Sequence, residues 1–170
     1  MNYISHYESP IGKMTMGSDG DALIGLWFED GKYYGETLGK NFVDKDLRVF
    51  QATKKWLDVY FSGTEPDFIP KIKLYGSDFR LEVWKILKEI PYGATIAYGQ
   101  IADKIAAQRC LSKMSAQAVG SAVGHNPITI IIPCHRVIGA DGSVTGYAGG
   151  IWRKIKLLDL ESGIVKSHMV

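Results

Sequence analysis

The 170-residue chain has only two cysteines, Cys110 and Cys134, too few for a disulfide scaffold. Neither lies in a Cys-x-x-Cys pair or a His/Cys cluster, so no zinc site, redox dithiol or other cofactor is expected. An excess of one charge is also missing: 20 Lys+Arg stand against 18 Asp+Glu, a net charge of +2. That balance excludes a nucleic-acid binder working by bulk charge, so any DNA contact has to be local. The longest apolar stretch, Ile128-Thr129-Ile130-Ile131-Ile132, is far below the roughly 18 residues of a membrane span. The amino terminus, Met1-Asn2-Tyr3-Ile4-Ser5-His6, lacks the basic and apolar regions of a signal peptide. The expectation is a cytoplasmic protein with no membrane partner. No internal repeat or low-complexity tract is present. What remains is the composition of an ordinary globular protein, 46% hydrophobic and 22% charged, long enough for one domain or two small ones.

The first quarter alternates apolar and polar residues between turn signals at Ser9-Pro10-Ile11-Gly12 and Asp19-Gly20-Asp21, which reads as an antiparallel meander. From Asp44, Leu47, Phe50, Leu57, Tyr60 and Phe61 recur at helical spacing until Ser62-Gly63-Thr64-Glu65-Pro66 stops them, so a helix covers the sheet. After a short extended piece at residues 69–74, Ser77-Asp78 caps a helix carrying Phe79, Val83, Ile86, Leu87 and Ile90 on one face. Two further short helices, residues 98–107 and 115–124, flank a polar turn and suggest a helix-turn-helix. Residues 128–132 read as a buried strand, Asp141-Gly142 as a turn, and residues 152–161 as a closing helix. The fold class is therefore α+β. An amino-terminal domain of residues 1–74, a small antiparallel sheet with its helix, precedes a mostly helical carboxy-terminal domain of residues 75–170 that contains the helix-turn-helix.

Two features point to chemistry. The second helix of the pair carries Ala116, Ala118, Gly120, Ser121, Ala122 and Gly124, although each mid-helix glycine costs about 1 kcal/mol against alanine. Either a neighbouring helix packs tightly on it or something from outside approaches closely. The second feature is Cys134, flanked by His135 and Arg136 after Pro133. A thiol reacts as its thiolate, and a base or a cation beside it supplies that form near neutral pH. Adjacent strand residues face opposite ways, so contact between thiol and imidazole requires a turn or a bridging water. A buried cysteine next to a surface histidine is the alternative.

The segment Ile131-Ile132-Pro133-Cys134-His135-Arg136-Val137-Ile138-Gly139 resembles the active-site segment of the methylated-DNA–protein-cysteine methyltransferases, the O6-alkylguanine-DNA alkyltransferases. The likeness extends through Tyr92-Gly93, Tyr98-Gly99-Gln100-Ile101-Ala102, Ala118-Val119-Gly120, Asn126-Pro127, Thr145-Gly146-Tyr147-Ala148-Gly149-Gly150, Leu157-Leu158 and Glu161, over about 85 residues from Phe79 to Gly163. The resemblance implies irreversible transfer of the alkyl group from O6 of guanine, and from O4-methylthymine, to Cys134. It further implies that His135 takes the thiol proton through a water, that Glu161 orients His135, and that Asn126 braces the turn. By the same resemblance Tyr98 hydrogen-bonds the departing guanine, while Cys134, Val137, Tyr147 and Ala148 form the base pocket, with Val123 near it. The helix bearing Gln117, Ala118, Gly120 and Ser121 would lie in the minor groove of double-stranded DNA, with the nucleotide flipped out and Arg136 on the DNA-binding side. A monomer is implied.

One departure is Gln117, where many family members carry an arginine that fills the gap left by the flipped base. Gln117 can still hydrogen-bond the orphaned partner base, and Arg109 or Lys113 could supply the missing charge. Three other readings compete: a lesion-binding protein without catalysis, against which Cys134 argues; a Cys-His hydrolase, which would turn over; and a transcription factor, for which the small helix offers few side chains. His6 and His168 read as surface histidines, Cys110 as a bystander, and Trp27, Trp56, Trp84 and Trp152 as core.

Overall fold

The computed structural model describes residues 1–163, so His168 and the end of the 75–170 segment lie outside the described residues. The meander forms as β1 (Asn2–Ser9), β2 (Gly12–Ser18) and β3 (Leu23–Phe28), antiparallel, in register from Tyr3↔Ser18 to Ser9↔Gly12 and from Met14↔Phe28 to Gly17↔Gly25, with a shift between Gly17 and Ser18. Pro10-Ile11 make the first turn, and Gly12 takes a φ of +128° that disfavours any side chain. A fourth strand, β4 (Phe42–Asp44), joins β1 in parallel, so the sheet is mixed, in the order β3-β2-β1-β4. Its three residues are all exposed, and that leaves no apolar alternation to read.

Helix α1 (Arg48–Phe61) buries Val49, Phe50, Thr53, Trp56, Leu57 and Tyr60, the inward stripe of a helix lying on the sheet. All six residues of β3 are buried, because its outer edge is closed by two single-residue bridges, Leu23 to Ile72 and Leu26 to Ile128. The second of these joins the sheet edge to the segment that leads into Cys134.

Helix α2 (Asp78–Lys88) starts where Ser77 Oγ accepts the Arg80 N–H at 3.2 Å, with Asp78 in its first turn and Lys85 and Lys88 in its last, as the helix dipole favours. After β5 (Ile96–Ala97), α3 (Tyr98–Gln108) opens with the Gln100 side chain accepting the Ala97 N–H at 2.8 Å. Helix α4 (Ala116–Gly124) opens on Ser115, whose Oγ accepts the Ala118 N–H at 3.2 Å. It packs on both α2 and α3. Trp84 Nε1 donates to the Ala122 carbonyl at 2.8 Å, so one side of α4 is small because α2 lies close to it. The side bearing Gln117, Ala118 and Ser121 is exposed. A Cβ on Gly120 would meet nothing nearer than the Tyr98 ring at 3.9 Å, and one on Gly124 nothing within 4 Å. Those two glycines are therefore not required by packing inside the protein.

Residues 128–132 are buried but do not form the expected strand. Only Ile128 meets a strand edge; the chain then folds back, with Ile132 N–H donating to Ile128 O at 3.0 Å and Ile130 at a φ of +70°. A β-branched residue in that region is uncommon and marks a backbone held by its surroundings. Cys134, His135 and Arg136 follow as one 3₁₀ turn, then β6 (Val137–Ile138) pairs in parallel with β5, and α5 (Ile151–Ser162) closes the chain. Of the four tryptophans, Trp27, Trp56 and Trp84 are buried, whereas Trp152 at the start of α5 is half exposed and lies against Arg153. No helix of the described residues is long and apolar enough to cross a membrane.

Met14, Leu26 and Phe50 share one apolar cluster with Val83, Ile101 and Leu157, so the core runs continuously from the sheet to the helices. Arg153 ties the two from the side. It is buried, donates from Nε to Ile11 O at 2.7 Å and from Nη1 to Asp30 at 2.6 Å and Gly149 O at 3.0 Å, and lies over the Phe28 ring. Replacing Arg153 by Ala leaves two carbonyls without their donor and is expected to lower the unfolding free energy by about 2–3 kcal/mol in urea titrations. Asp30→Asn, which alters a carboxylate 70% exposed, is expected to lower it by under about 1 kcal/mol.

Candidate active site

Cys134 opens the 3₁₀ turn and is 6% exposed, at the floor of a cavity of about 320 Å³. Tyr98 from α3 and Gly120 and Val123 from α4 line one side; Tyr147 and Ala148 line the other. Val137, expected in the base pocket, does not line the cavity; it pairs with Ile96 and is fully buried. Two further walls come from the loop after β3, where Lys32 and Tyr33 reach the cavity and the Lys32 N–H donates to Ala148 O at 2.9 Å.

Asn126 holds the loop that presents the cysteine. Its Nδ2 donates to Ile132 O at 2.6 Å and its Oδ1 accepts the Ile128 N–H at 3.0 Å, which closes the fold-back of residues 128–132. Asn126 and Thr129 also hydrogen-bond the Cys134 thiol, and the hydroxyls of Thr129 and Tyr147 bond to each other. Burial pushes the thiol pKa up; the two hydrogen bonds and the Lys154 charge oppose the shift without reversing it. The resting group is therefore the protonated thiol, which needs a base to react.

The next side chain along the turn is an imidazole. His135 is completely buried, and its Nε2 bonds Oε2 of Glu161. The same carboxylate accepts Tyr60 OH at 2.6 Å, Arg136 Nε at 2.7 Å and the Gly93 N–H at 3.2 Å. Burial alone would raise the Glu161 pKa, but the hydrogen bonds and charges of His135 and Arg136 outweigh it and hold the carboxyl at about 2. An ionised carboxylate only accepts, so His135 must present Nε2–H to it and leave Nδ1 with a free lone pair. Nδ1 has no hydrogen-bond partner. Burial also pushes the imidazole pKa down against the pull of Glu161, which keeps the ring neutral.

Arg136, expected on the DNA-binding side, points inward instead. It is 8% exposed, donates to Glu161 and from Nη1 to Ile90 O at 2.7 Å, and lies over the Tyr92 ring; a buried carboxylate left without such a partner would be strongly destabilising. Arg109 does not replace the charge missing at Gln117, since it pairs with Glu82 and covers Phe79. Lys113 and Gln117 are exposed.

Sequence reasoning missed Tyr60, Thr129, Lys32, Tyr33 and Lys154 as parts of this site. Lys154 is buried, with Nζ donating to Thr145 O at 2.7 Å, Gly146 O at 3.0 Å and Tyr98 OH at 3.4 Å, and burial lowers its pKa to about 8. Its spacing to Leu157, Leu158 and Glu161 was the available signal, because that period places it on the inward face of α5. Lys32 and Tyr33 carry no such signal.

Sheet, helix pair and cavity define an α+β protein with a buried Cys-His-Glu centre beside a bare helix. The chain belongs to the methylated-DNA–protein-cysteine methyltransferases, as the resemblance of its Pro133-Cys134-His135-Arg136 segment implied. The 6-O-methylguanine DNA methyltransferase DNA-binding domain matches residues 78–163, and the ribonuclease-like domain of the same family matches residues 2–74. The methylated-DNA–protein-cysteine methyltransferase of Mycobacterium tuberculosis H37Rv is 45% identical over 159 residues, covering 92% of each chain. That of Methanosarcina acetivorans is 41% identical over 159 residues, covering 94% of this chain and 97% of the relative. The crystal structure of Mycobacterium tuberculosis OGT in complex with DNA superposes with a TM-score of 0.83 at 42% identity, covering 95% of this chain and 93% of that one.

The Glu161 carboxyl titrates lower in the folded chain than its ordinary value of 4.5, so the stability it contributes is full above that value and is lost as pH falls towards about 2. Glu161→Gln is expected to lower the unfolding free energy by about 3 kcal/mol at neutral pH, because Arg136 loses its buried partner. The gap to the unchanged protein should narrow progressively in denaturant titrations run below pH ~4.5. A gap that stayed constant with pH would contradict the ionised state.

Proposed function

We propose that this chain is a DNA repair protein that transfers a methyl or larger alkyl group from O6 of guanine, and from O4-methylthymine, to Cys134 in a reaction that each molecule performs once. The observation that carries this reading is a buried thiol at the cavity, followed directly along the same turn by a neutral histidine whose free Nδ1 is set by a four-donor carboxylate.

His135 Nδ1 takes the Cys134 proton through a bridging water. The thiolate sulfur then attacks the alkyl carbon; the S–C bond forms as the C–O6 bond breaks, and its electron pair leaves on the guanine. Tyr98 donates a hydrogen bond to that departing base, and Lys154, bonded to the Tyr98 oxygen, keeps a positive charge beside it. Asn126 and Thr129 hold the sulfur in place. The S-alkylcysteine has no leaving group that water can displace readily, so the protein is consumed.

A target atom stacked inside a duplex is out of reach, so the nucleotide has to be extruded, at a cost of a few kcal/mol. The exposed side of α4 suits a minor-groove approach: Ala118 and Ser121 add little bulk, Gly120 and Gly124 leave open space, and Gln117 can bond the unpaired partner base. Gly120 and Val123 line the cavity on the same helix, which puts the groove-facing surface next to the thiol. Residues 1–74 and 75–170 act as two domains of a monomer that works in the cytoplasm without metal or cofactor.

The test is intact-mass measurement after mixing the protein with duplex DNA bearing one O6-methylguanine. One added methyl group per molecule is expected, and none with Cys134→Ser. Tight binding without a mass change would replace this reading with that of a lesion binder.

A further inference from the structure

Tyr60 belongs to α1 in the amino-terminal segment, 101 positions from Glu161, yet its hydroxyl reaches the same carboxylate oxygen that takes the His135 ring. It is completely buried. Its ring stacks on Trp56 at 5.3 Å and stands edge-on to Phe61 at 5.3 Å and to His135 at 6.4 Å. An aromatic core residue needs no hydroxyl for that packing, and a buried hydroxyl is tolerated only with a partner. The partner here is the residue that sets the state of the base.

We infer that Tyr60 is a positioning residue for alkyl transfer, whose hydroxyl holds the Glu161 oxygen that keeps His135 with Nδ1 free. The inference rests on the reading in which Cys134 is the nucleophile and His135 its base. Two donors share Oε2, Tyr60 and His135; Oε1 is served by Arg136 and the Gly93 N–H. Without the phenol, Oε2 of this carboxylate, whose side chain is 1% exposed, keeps only the imidazole as donor. The carboxylate then draws harder on the His135 proton, and the pair binds one more proton from solution at a higher pH, which occupies Nδ1 and blocks it as a base. The other groups facing the pair stay as they are: Arg136 on the 3₁₀ turn, Tyr92 after α2, Tyr147 on the cavity wall and Lys154 on α5. By this route the sheet-and-helix segment takes part in the chemistry, beyond supporting the carboxy-terminal segment.

The experiment compares the full chain with Tyr60→Phe in single-turnover transfer from an O6-methylguanine duplex, followed by intact mass across about pH 5 to 9, alongside DNA affinity and thermal unfolding. The half-maximal point of the acid limb is expected to rise by about one pH unit, with transfer about tenfold slower below it and DNA affinity unchanged. Trp56→Phe is the control for packing: it touches the Tyr60 ring and not Glu161, and should lower the melting temperature while leaving the profile in place. A Tyr60→Phe profile that superimposes on that of the unchanged protein, or a Trp56→Phe profile that moves as far, overturns the inference. If Tyr60→Phe does not fold, 3-fluorotyrosine at position 60 decides the matter: its hydroxyl is a stronger donor, so the acid limb must move down, and an unmoved limb overturns the inference. Failure of the unchanged protein to transfer at any pH overturns the underlying reading instead, and so is told apart from failure of the Tyr60 role.

Discussion

The carboxylate of Glu161 accepts hydrogen bonds from Tyr60 on α1, from the Gly93 backbone after α2, and from His135 and Arg136 on the turn that begins with Cys134. One side chain on α5 thus joins three other parts of the chain at a point shielded from water. A buried carboxylate can stay ionised only if donors replace its lost hydration, and four donors do so here. Because it stays ionised, it accepts only, and the histidine beside it has one tautomer available. The chemistry of the site therefore follows from how the fold satisfies a single acid.

The cysteine is held in the opposite condition. Burial keeps the thiol protonated and the imidazole neutral, so the centre carries little reactive thiolate in the absence of a substrate. For a protein consumed by its own reaction this matters, since a thiolate lost to oxidation removes a whole molecule from use. Lys154, whose charge opposes the rise of the thiol pKa, is held by two carbonyls and the Tyr98 hydroxyl at the cavity wall rather than by a carboxylate. Its charge therefore sits beside Tyr98, a residue of the cavity wall. Arg153, one position earlier on the same helix, ties the cavity loop at Gly149 to Ile11 and Asp30 of the sheet segment.

Much of the fold was legible in the sequence because local signals and burial agree there. The Ser77 cap, the inward stripe of α1 and the turn before β2 each form where spacing and residue type require. Residues 128–132 misled because a short apolar run reads alike for a strand and for any other buried segment; what decides it is the Asn126 amide, which takes both Ile128 N–H and Ile132 O. Strand β4 was invisible because exposed residues carry no pattern. At the site, the cysteine, histidine, glutamate and asparagine are brought together as the motif implied. The inward turn of Arg136 was not legible, since a charge beside a reactive cysteine reads equally as a surface contact or an internal pair. Tyr60 was read only as a core position, for nothing local to it points to an acid 101 residues away.

Glu161 fixes His135 as a neutral ring with the proton on Nε2 and the lone pair on Nδ1. Nitrogen-15 NMR of the ring in the unreacted protein at neutral pH tests it most directly. A protonated Nε2 and an unprotonated Nδ1 are expected for His135. A proton on Nδ1, whether in the other tautomer or in the imidazolium, would contradict it, because the group assigned as the base would then have nothing with which to accept the thiol proton.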